Sequence, residues 1–324
     1  MSEATGGSVK VGVIGVGVLG RHHARLYGEC EGAELVGVYD QNAETAQAVA
    51  DEFGTRAFTE IQALAEVTDG LSVAVPTDRH FEVVQDLLKA DRHVLVEKPI
   101  TSTVEEAEAL VQLAAEKKLI LQVGHVERYS PVLECLDTVP GDVRFIEAHR
   151  LAAYPPPRPG QLPRGTEVSV ILDLMIHDID VVLALVKSPV KRVDAVGVPV
   201  LSPSEDIANA RLVFENGCVV NITASRVSAE PMRRTRVFKS NAYLSLDYQE
   251  HKGEIAYRKE GRIFREPVPV RSTNALQDEL QDFVNCVIDL RDHGGDLEPR
   301  VTGHQGMEAL RLAHQIMDDA AKNR

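Results

Sequence analysis

This chain is poor in paired cysteines, in long apolar runs and in positive charge. Its four cysteines lie far apart, without the close pairs that zinc sites or disulfide frameworks use. No apolar run approaches the length of a membrane-spanning helix. The 49 acidic side chains outnumber the 35 lysines and arginines, and the net charge of -14 argues against a nucleic-acid partner. We therefore expect no metal centre, no disulfide, no membrane span and no bound nucleic acid.

The rest of the composition is that of a soluble globular protein, with 44% hydrophobic and 26% charged residues. A length of 324 residues suits two domains of ordinary size, each with its own core. Residues 1–8 lack the basic start and the apolar segment of a signal peptide, so we expect a cytoplasmic protein.

A glycine-rich turn follows the first apolar run, Val11 to Ile14, and precedes a helical stretch. In a strand–turn–helix unit of this kind, the first glycine permits the sharp turn, the second lets the backbone approach a pyrophosphate, and the third lets helix and strand pack closely. The helix N-terminus then offers unpaired N–H groups to phosphates. The pattern predicts a dinucleotide site with contacts from Gly15, Gly17, Val18, Leu19 and Gly20.

Asp40 ends the second predicted strand, about twenty residues after the turn. A carboxylate there can accept hydrogen bonds from the adenosine ribose hydroxyls and would repel a ribose 2'-phosphate. The next residues offer no arginine to neutralise such a phosphate, so NAD is favoured over NADP. An alternative is that Asp40 simply caps the helix expected from Ala43 to Glu52.

The first 125 residues alternate between strands and helices, which predicts an α/β domain with a doubly wound parallel sheet, the Rossmann arrangement. Ligands of such sheets bind beyond the carboxyl ends of the strands. Two further strand ends carry polar residues, Pro76 to His80 and Glu97-Lys98-Pro99. We expect both to converge with the glycine turn on one crevice, and Lys98 to be a proton-handling residue beside the nicotinamide ring.

After Gly124 the predicted strands are longer and separated by turns, as in Val143 to Leu151 and Ala242 to Asp247. Glu215-Asn216-Gly217 is a strong hairpin signal, because asparagine and glycine tolerate positive φ. The sequence thus predicts a Rossmann domain over residues 1–125 and an α+β domain with a large, open, mostly antiparallel sheet over residues 126–324. The last predicted helix, Gly303 to Lys322, is a candidate to pack against the first domain.

Acids and one histidine interrupt an apolar helix predicted over residues 170–183. Asp173, His177 and Asp180 are spaced four and three apart, so they share one helix face, and a carboxylate can hold the imidazole in one orientation. Such an imidazole suits a general base acting on a hydroxyl. The alternative is a solvated or capping histidine, although three polar groups on a buried stripe cost desolvation energy unless they line a cavity.

An ordered set of motifs resembles the glucose-fructose oxidoreductase and inositol dehydrogenase family along nearly the whole chain. The set consists of the glycine turn, Pro76 with His80, Glu97-Lys98-Pro99, Gly124 followed by Arg128-Tyr129, and Asp173 four residues before His177. The resemblance implies that Lys98 and His177 are the catalytic pair, that Asp173 orients the substrate, and that Thr77, His80 and Glu97 contact the nicotinamide half of NAD. It also implies an open sheet used for dimer or tetramer contacts. The chain departs from the family at Val168-Ser169-Val170, where many relatives have glycines.

Together these residues predict an NAD-dependent dehydrogenase acting on a secondary hydroxyl of a sugar or sugar nucleotide. The stretch Gly124 to Pro131 resembles UDP-N-acetylglucosamine 3-dehydrogenases more than inositol dehydrogenases, which favours C3 of a UDP-N-acetylhexosamine and substrate contacts at Arg128 and Tyr129. Arg158 and Arg164, in a proline-rich loop, could clamp a diphosphate or lie in a solvent-exposed lid. The alternatives are an inositol or free-sugar dehydrogenase, an NAD-dependent glycosidase without net NADH production, and a non-catalytic NAD-responsive regulator.

Overall fold

A computed structural model describes residues 7–156, 165–166 and 168–323. Within these residues the chain divides into two compact units. The first unit runs to Tyr129 and adds Thr273–Met307. The second consists of Ser130–Ser272 and the chain from Glu308 onwards. The first unit is therefore built from two separate stretches of sequence, whereas the sequence pattern placed its end at residue 125.

A six-stranded parallel sheet forms the centre of the first unit, in the order β3-β2-β1-β4-β5-β6. The strands around β1 are apolar and almost fully buried, as expected for a parallel sheet covered on both faces. The order reverses at β1, which pairs with β2 on one side and β4 on the other. The strands are β1 (Val9–Ile14), β2 (Ala33–Tyr39), β3 (Ala57–Phe58), β4 (Gly70–Val73), β5 (His93–Glu97) and β6 (Leu121–Gly124).

Local capping signals fix several helices of this unit. Asn42 precedes the second helix and accepts hydrogen bonds from the N–H groups of Glu44 and Thr45. Thr103 and Glu106 form a reciprocal capping box at the start of the fifth helix. The helices are α1 (Val18–Tyr27), α2 (Ala43–Phe53), α3 (Ile61–Ala65), α4 (His80–Lys89) and α5 (Val104–Lys117).

A long helix from the far end of the sequence completes the core of the first unit. This helix is α8 (Ala275–His293), and its buried residues pack with those of β1 and α1. It contributes Leu280, Phe283, Val284 and Val287 to this core. The next helix, α9 (Gly303–Lys322), begins in the first unit and continues into the second, where residues from Ala309 onwards join the core.

An eight-stranded sheet dominates the second unit, in the order β14-β13-β12-β11-β7-β10-β9-β8. All neighbours are antiparallel except β7 and β10, and β9 and β10 flank the predicted hairpin turn at Gly217. Helices α6 (Glu134–Thr138) and α7 (Ile176–Val186) also belong to this unit. The strands are β7 (Val143–Leu151), β8 (Val190–Val198), β9 (Ile207–Phe214), β10 (Val219–Ser225), β11 (Met232–Lys239), β12 (Ala242–Asp247), β13 (Lys252–Lys259) and β14 (Arg262–Pro267).

One face of this sheet builds the second core. Along β7, buried Ile146 and Ala148 alternate with half-buried Phe145 and Glu147, as the two-residue period of a strand requires. The buried face packs against α7 and α9. The prediction of a Rossmann sheet followed by a mostly antiparallel sheet is confirmed. No helix among the described residues is long and apolar enough to cross a membrane.

Candidate active site

The glycine turn between β1 and α1 has the close packing that its spacing predicts. A Cβ at Gly20 would lie 1.8 Å from the carbonyl oxygen of Gly15, and Gly15 itself has a φ of +83°. Neither position accepts another residue without strain. A Cβ at Gly17, in contrast, would meet no protein atom within 4 Å, and Gly17 precedes α1 without a side-chain cap. The open backbone at Gly17 and the uncapped helix start fit the pyrophosphate of a dinucleotide.

The neighbouring side chains leave the helix start accessible. Val18, the first residue of α1, is 68% exposed, and Leu19 is half-buried. An exposed apolar residue at this point is available to pack against a bound nucleotide.

Asp40 lies half-buried just after β2, and its carboxylate accepts hydrogen bonds from two backbone N–H groups. Its Oδ2 accepts a hydrogen bond from the N–H of Val16 at 2.9 Å, and its Oδ1 accepts one from the N–H of Asn42 at 2.9 Å. The helix cap of α2 is Asn42, so the alternative interpretation of Asp40 as that cap is wrong. The carboxylate instead ties the glycine turn to the end of β2.

Thr77 and His80 follow β4, at the same sheet edge. Thr77 begins a short 3-10 turn and is half-buried. His80 is only 1% exposed, and its ring nitrogens Nδ1 and Nε2 each lie 2.9 Å from a carbonyl oxygen, those of Pro99 and Val75. Burial lowers the pKa of His80 below its usual value. The two carbonyl contacts raise the pKa, but the effect of burial is larger. His80 therefore bridges two backbone segments.

Glu97 and Lys98 follow β5. The Glu97 side chain is 11% exposed, and its Oε1 lies 3.0 Å from Nε2 of the fully buried His23, while the Lys98 N–H lies 3.3 Å from Oε2. Burial alone would raise the pKa of Glu97, but the hydrogen bond and charge of His23 and the charge of Lys98 outweigh it, so the pKa lies below its usual value. The carboxylate is thus anionic beside the half-buried Lys98.

Sequence reasoning missed His23, although the histidine stands three residues after Gly20 on the first helix of the fingerprint. The signal that could have found it is this position, on a helix face that turns towards the sheet. The glycine at the end of β6 belongs to the same arrangement. A Cβ at Gly124 would lie 2.9 Å from Oε2 of Glu97, so the glycine leaves room for the carboxylate.

In the second unit, Asp173 and His177 lie on an irregular helix. Residues Ile171–Met175 form a π-helical turn that leads directly into α7, and such turns are frequent at functional sites. Asp173 and His177 are both half-buried, whereas Asp180 is 2% exposed. A Cβ at Gly165 would lie 2.5 Å from Oδ2 of Asp173, so the backbone of this glycine packs against the carboxylate. The three residues thus belong to one helical segment, as the spacing predicted.

Two buried ion pairs support that segment, and the sequence pattern had suggested neither. Arg150 on β7 donates to Asp178 on α7, with Nε 2.8 Å from Oδ2. Arg226 donates to Asp206, with Nε 2.8 Å from Oδ1. Nη1 of Arg226 also donates to the carbonyl oxygens of Gly165 and Val168. These bonds hold Gly165 and Val168, which precede Asp173 in the sequence.

Two of the predicted substrate residues, Arg128 and Tyr129, make side-chain contacts within the first unit. Tyr129 is 2% exposed, donates its hydroxyl to Asp282 at 2.7 Å and lies beneath the guanidinium of Arg300. Arg128 donates to the carbonyl oxygen of Arg300. These contacts give both residues a structural part within the first unit. Arg158 and Arg164 lie outside the described residues.

The four cysteines are free and buried, and among the residues that the structure describes no cluster of histidine, cysteine and acidic side chains could hold a metal ion. Burial raises the pKa of Cys30 to about 11 and that of Cys286 to about 12. Thiols with such pKa values are weak nucleophiles at neutral pH.

Two family descriptions match successive parts of the chain. "Oxidoreductase family, NAD-binding Rossmann fold" matches residues 9–125. "GFO/IDH/MocA C-terminal domain" matches residues 137–245. An inositol 2-dehydrogenase of Rhizobium meliloti is 23% identical over 98% of this chain and 98% of its own.

A second curated relative is more similar. A UDP-N-acetylglucosamine 3-dehydrogenase of Acidithiobacillus ferrooxidans is 39% identical over 286 residues, which cover 86% of this chain and 88% of the relative. A solved structure of that enzyme superposes with a TM-score of 0.88 and 37% identity, over 96% of this chain and 97% of the other. The predictions of family, dehydrogenase class and NAD as cofactor are confirmed. The chain is a member of the GFO/IDH/MocA family of NAD-binding oxidoreductases.

Proposed function

We propose that this protein oxidises the 3-hydroxyl of a UDP-N-acetylhexosamine, with UDP-N-acetylglucosamine as the first candidate, and reduces NAD. The observation that carries the proposal is the placement of Lys98 directly after β5, at the sheet edge where the glycine turn follows β1. The sugar-nucleotide substrate is supported by the Acidithiobacillus ferrooxidans relative at 39% identity.

The proposed cofactor site uses the turn and the adjacent strand ends. Gly15, Gly17 and Gly20 shape the turn, with Val18 and Leu19 beside it, and Asp40 accepts hydrogen bonds from the ribose hydroxyls. Thr77 and Glu97 contact the nicotinamide half. His80, expected from sequence to contact NAD, contributes by holding the backbone, since its two ring nitrogens already face carbonyl oxygens.

The proposed mechanism assigns one task to each catalytic side chain. NAD, when bound, supplies the acceptor for the hydride that leaves carbon. His177 accepts the proton of the substrate hydroxyl, since an imidazole is the commonest general base in proton transfer from a hydroxyl. Lys98 donates a hydrogen bond to the same oxygen and stabilises its developing negative charge. Asp173 orients the substrate hydroxyl.

Substrate recognition is proposed to depend on guanidinium groups. Arg158 and Arg164, which lie outside the described residues, are assigned to the diphosphate, because the planar guanidinium matches phosphate geometry. Arg128 and Tyr129, expected from the sequence to contact the substrate, are assigned a structural role instead, since their side chains contact Arg300 and Asp282. The proposed location of the reaction is the cytoplasm.

The test is an assay of purified protein with NAD and a panel of UDP-sugars, inositols and free hexoses. We expect NADH only with UDP-N-acetylhexosamines, and substrate deuterated at C3 should transfer its deuterium to NADH. If only inositols or hexoses are oxidised, the proposed substrate is wrong and the protein is an inositol or free-sugar dehydrogenase. Release of an aglycone without net NADH would identify a glycosidase, and NAD binding without turnover of any substrate would identify a regulator.

We also propose that the protein forms a homo-oligomer through the outer face of the second sheet. Phe145, Phe238 and Tyr243 form a half-buried aromatic cluster there, with ring centroids 5.6 Å and 4.9 Å apart. Arg236 and Glu147 form an ion pair beside it, at 3.1 Å. Aromatic residues and arginine are enriched at protein interfaces. Sedimentation analysis of Phe238→Glu against the unmodified protein tests this, since a dimer or tetramer should dissociate.

A further inference from the structure

Two buried histidines flank the segment that carries Lys98. His23 projects from α1, and His80 begins α4; they are 0% and 1% exposed. We propose that His23 and His80 are positioning residues that hold the two chain neighbours of Lys98, Glu97 and Pro99, and thereby aim its ammonium group. The inference rests on the proposed catalytic role of Lys98.

The contact on the Glu97 side is made by one nitrogen of His23. Nε2 lies 3.0 Å from Oε1 of Glu97, and the other carboxylate oxygen accepts the backbone N–H of Lys98. Gly124, which is the β6 partner of Glu97, lies against the same carboxylate. A buried carboxylate is costly unless it is hydrogen-bonded, so the imidazole and the Lys98 N–H together select one orientation of this side chain.

The contact on the Pro99 side is made by His80. Nδ1 lies 2.9 Å from the Pro99 carbonyl oxygen, and Nε2 lies 2.9 Å from that of Val75. A neutral imidazole donates from one nitrogen only, and the imidazolium donates from both. Because Val75 follows β4 and Pro99 follows β5, His80 links two neighbouring strand ends.

Both contacts converge on the residues adjacent to Lys98. Lysine carries its charge on a flexible four-carbon stem, so a fixed backbone on both sides narrows the region that the ammonium samples. The partners come from two different helices, one of which begins at the glycine turn. The arrangement therefore links the cofactor turn to the position of the Lys98 ammonium group. A displacement of such a group by about 1 Å can lower the rate up to 100-fold.

The two histidines offer a crossed mutational test, since His23 contacts Glu97 through Nε2, whereas His80 contacts Pro99 through Nδ1. The amide nitrogen of glutamine is as many bonds from Cβ as Nε2 of histidine, and that of asparagine matches Nδ1. At position 23, His23→Gln should keep the contact with Glu97 and His23→Asn should lose it. At position 80, His80→Asn should keep the bond to Pro99 and His80→Gln should lose it.

We expect kcat to stay within a few-fold of wild type for His23→Gln and His80→Asn, and to fall about 10- to 100-fold for His23→Asn and His80→Gln. The affinity for NAD should change little in all four variants, since neither imidazole contacts NAD in the proposed site. A matched control is His93→Leu at the opposite end of β5, where Nδ1 of His93 accepts the N–H of Ile120. This variant should lose stability and keep kcat.

A readout without substrate separates this inference from the proposed reaction. Isotope-labelled dimethyl-lysine NMR, with the Lys98 signal identified by Lys98→Arg, should show a changed titration of that signal in His23→Asn and His80→Gln only. Folded variants whose kcat and Lys98 signal match wild type would overturn the inference, as would equal effects of glutamine and asparagine at both positions. If no UDP-sugar is oxidised, the proposed function fails while the NMR arm still decides this point.

Discussion

Asp40 accepts a hydrogen bond from the backbone N–H of Val16, with 2.9 Å between Oδ2 and the nitrogen. The residue proposed to bind the adenosine ribose therefore also holds the glycine turn that receives the pyrophosphate. One carboxylate thus serves two parts of the same cofactor.

Replacing this carboxylate should weaken NAD binding through both parts. Asp40→Ala removes charge-assisted hydrogen bonds, each worth about 1.5–3 kcal/mol, so we expect the Kd for NAD to rise about 10- to 100-fold. The preference for NAD over NADP should shrink, because the repulsion of a 2'-phosphate is lost. Calorimetric titration with both cofactors measures this. Asp51→Ala, at an exposed site on α2, is the control and should bind NAD normally.

The turn glycines should separate folding from cofactor binding. Gly17→Ala meets no protein atom and should leave the melting temperature unchanged, yet bind NAD at least tenfold more weakly, since the added methyl occupies the approach of the pyrophosphate. Gly20→Ala collides with the Gly15 carbonyl oxygen and should cost about 1–3 kcal/mol of stability. Thermal unfolding with and without NAD distinguishes them. A Gly17→Ala variant with normal NAD affinity would contradict the placement of the phosphates.

The catalytic assignments predict loss of turnover with retention of cofactor. Lys98→Met and His177→Ala should each lower kcat about 100- to 10,000-fold, the scale of general acid–base contributions. The Kd for NAD should remain near that of wild type. Lys89→Met, at the exposed end of α4, should keep full activity. Unchanged kcat in both active-site variants would remove the assignment.

The buried Arg226–Asp206 pair should make stability depend on acid pH. Burial raises the pKa of Asp206, but hydrogen bonds from Ser202, Arg226 and the N–H of Leu201 lower it more, so it lies well below the usual value of about 3.9. The native form therefore binds this proton less readily than the unfolded chain. Its contribution is complete above about pH 4 and is lost progressively as the pH falls below that value.

Asp206→Asn should weaken the loss of stability at acid pH. It should also destabilise the protein by about 3–5 kcal/mol at neutral pH, because the Arg226 charge is left buried without its anion. Urea unfolding at a series of pH values measures both effects. An exposed pair supplies the control: Asp142→Asn, whose partner is Arg144, should change stability by less than about 1 kcal/mol. Equal destabilisation by the two variants would contradict the role given to burial.

The order of strands and turns in the first unit was predictable because its signals are local. Val11–Ile14 is a short apolar run, and the glycines that follow it are required by contacts within a few residues, such as Gly20 against Gly15. The turn at Gly217 was predictable for the same reason, since its φ of +82° needs a glycine. The family resemblance then added the roles of Lys98 and His177.

The contacts that set the geometry of the site were not predictable, because they join residues distant in sequence. Nothing near His23 indicates that its imidazole meets Glu97, and nothing near Arg226 indicates that it holds Gly165. The π-helical turn at Ile171–Met175 was also missed, since the apolar spacing there fits an ordinary helix. The place of α8 in the first core depends on Phe283, whose spacing is that of any amphipathic helix.

The position of α8 in the sequence governs how this protein can be made. A nascent chain that has left the ribosome as far as Tyr129 contains all six parallel strands, yet it lacks Phe283, whose ring packs against Gly70. Until α8 is synthesised, the apolar surface around Tyr27 remains exposed to solvent. An excised fragment ending at Tyr129 should therefore aggregate, and a useful cofactor-binding piece would need Thr273–Met307 joined to it.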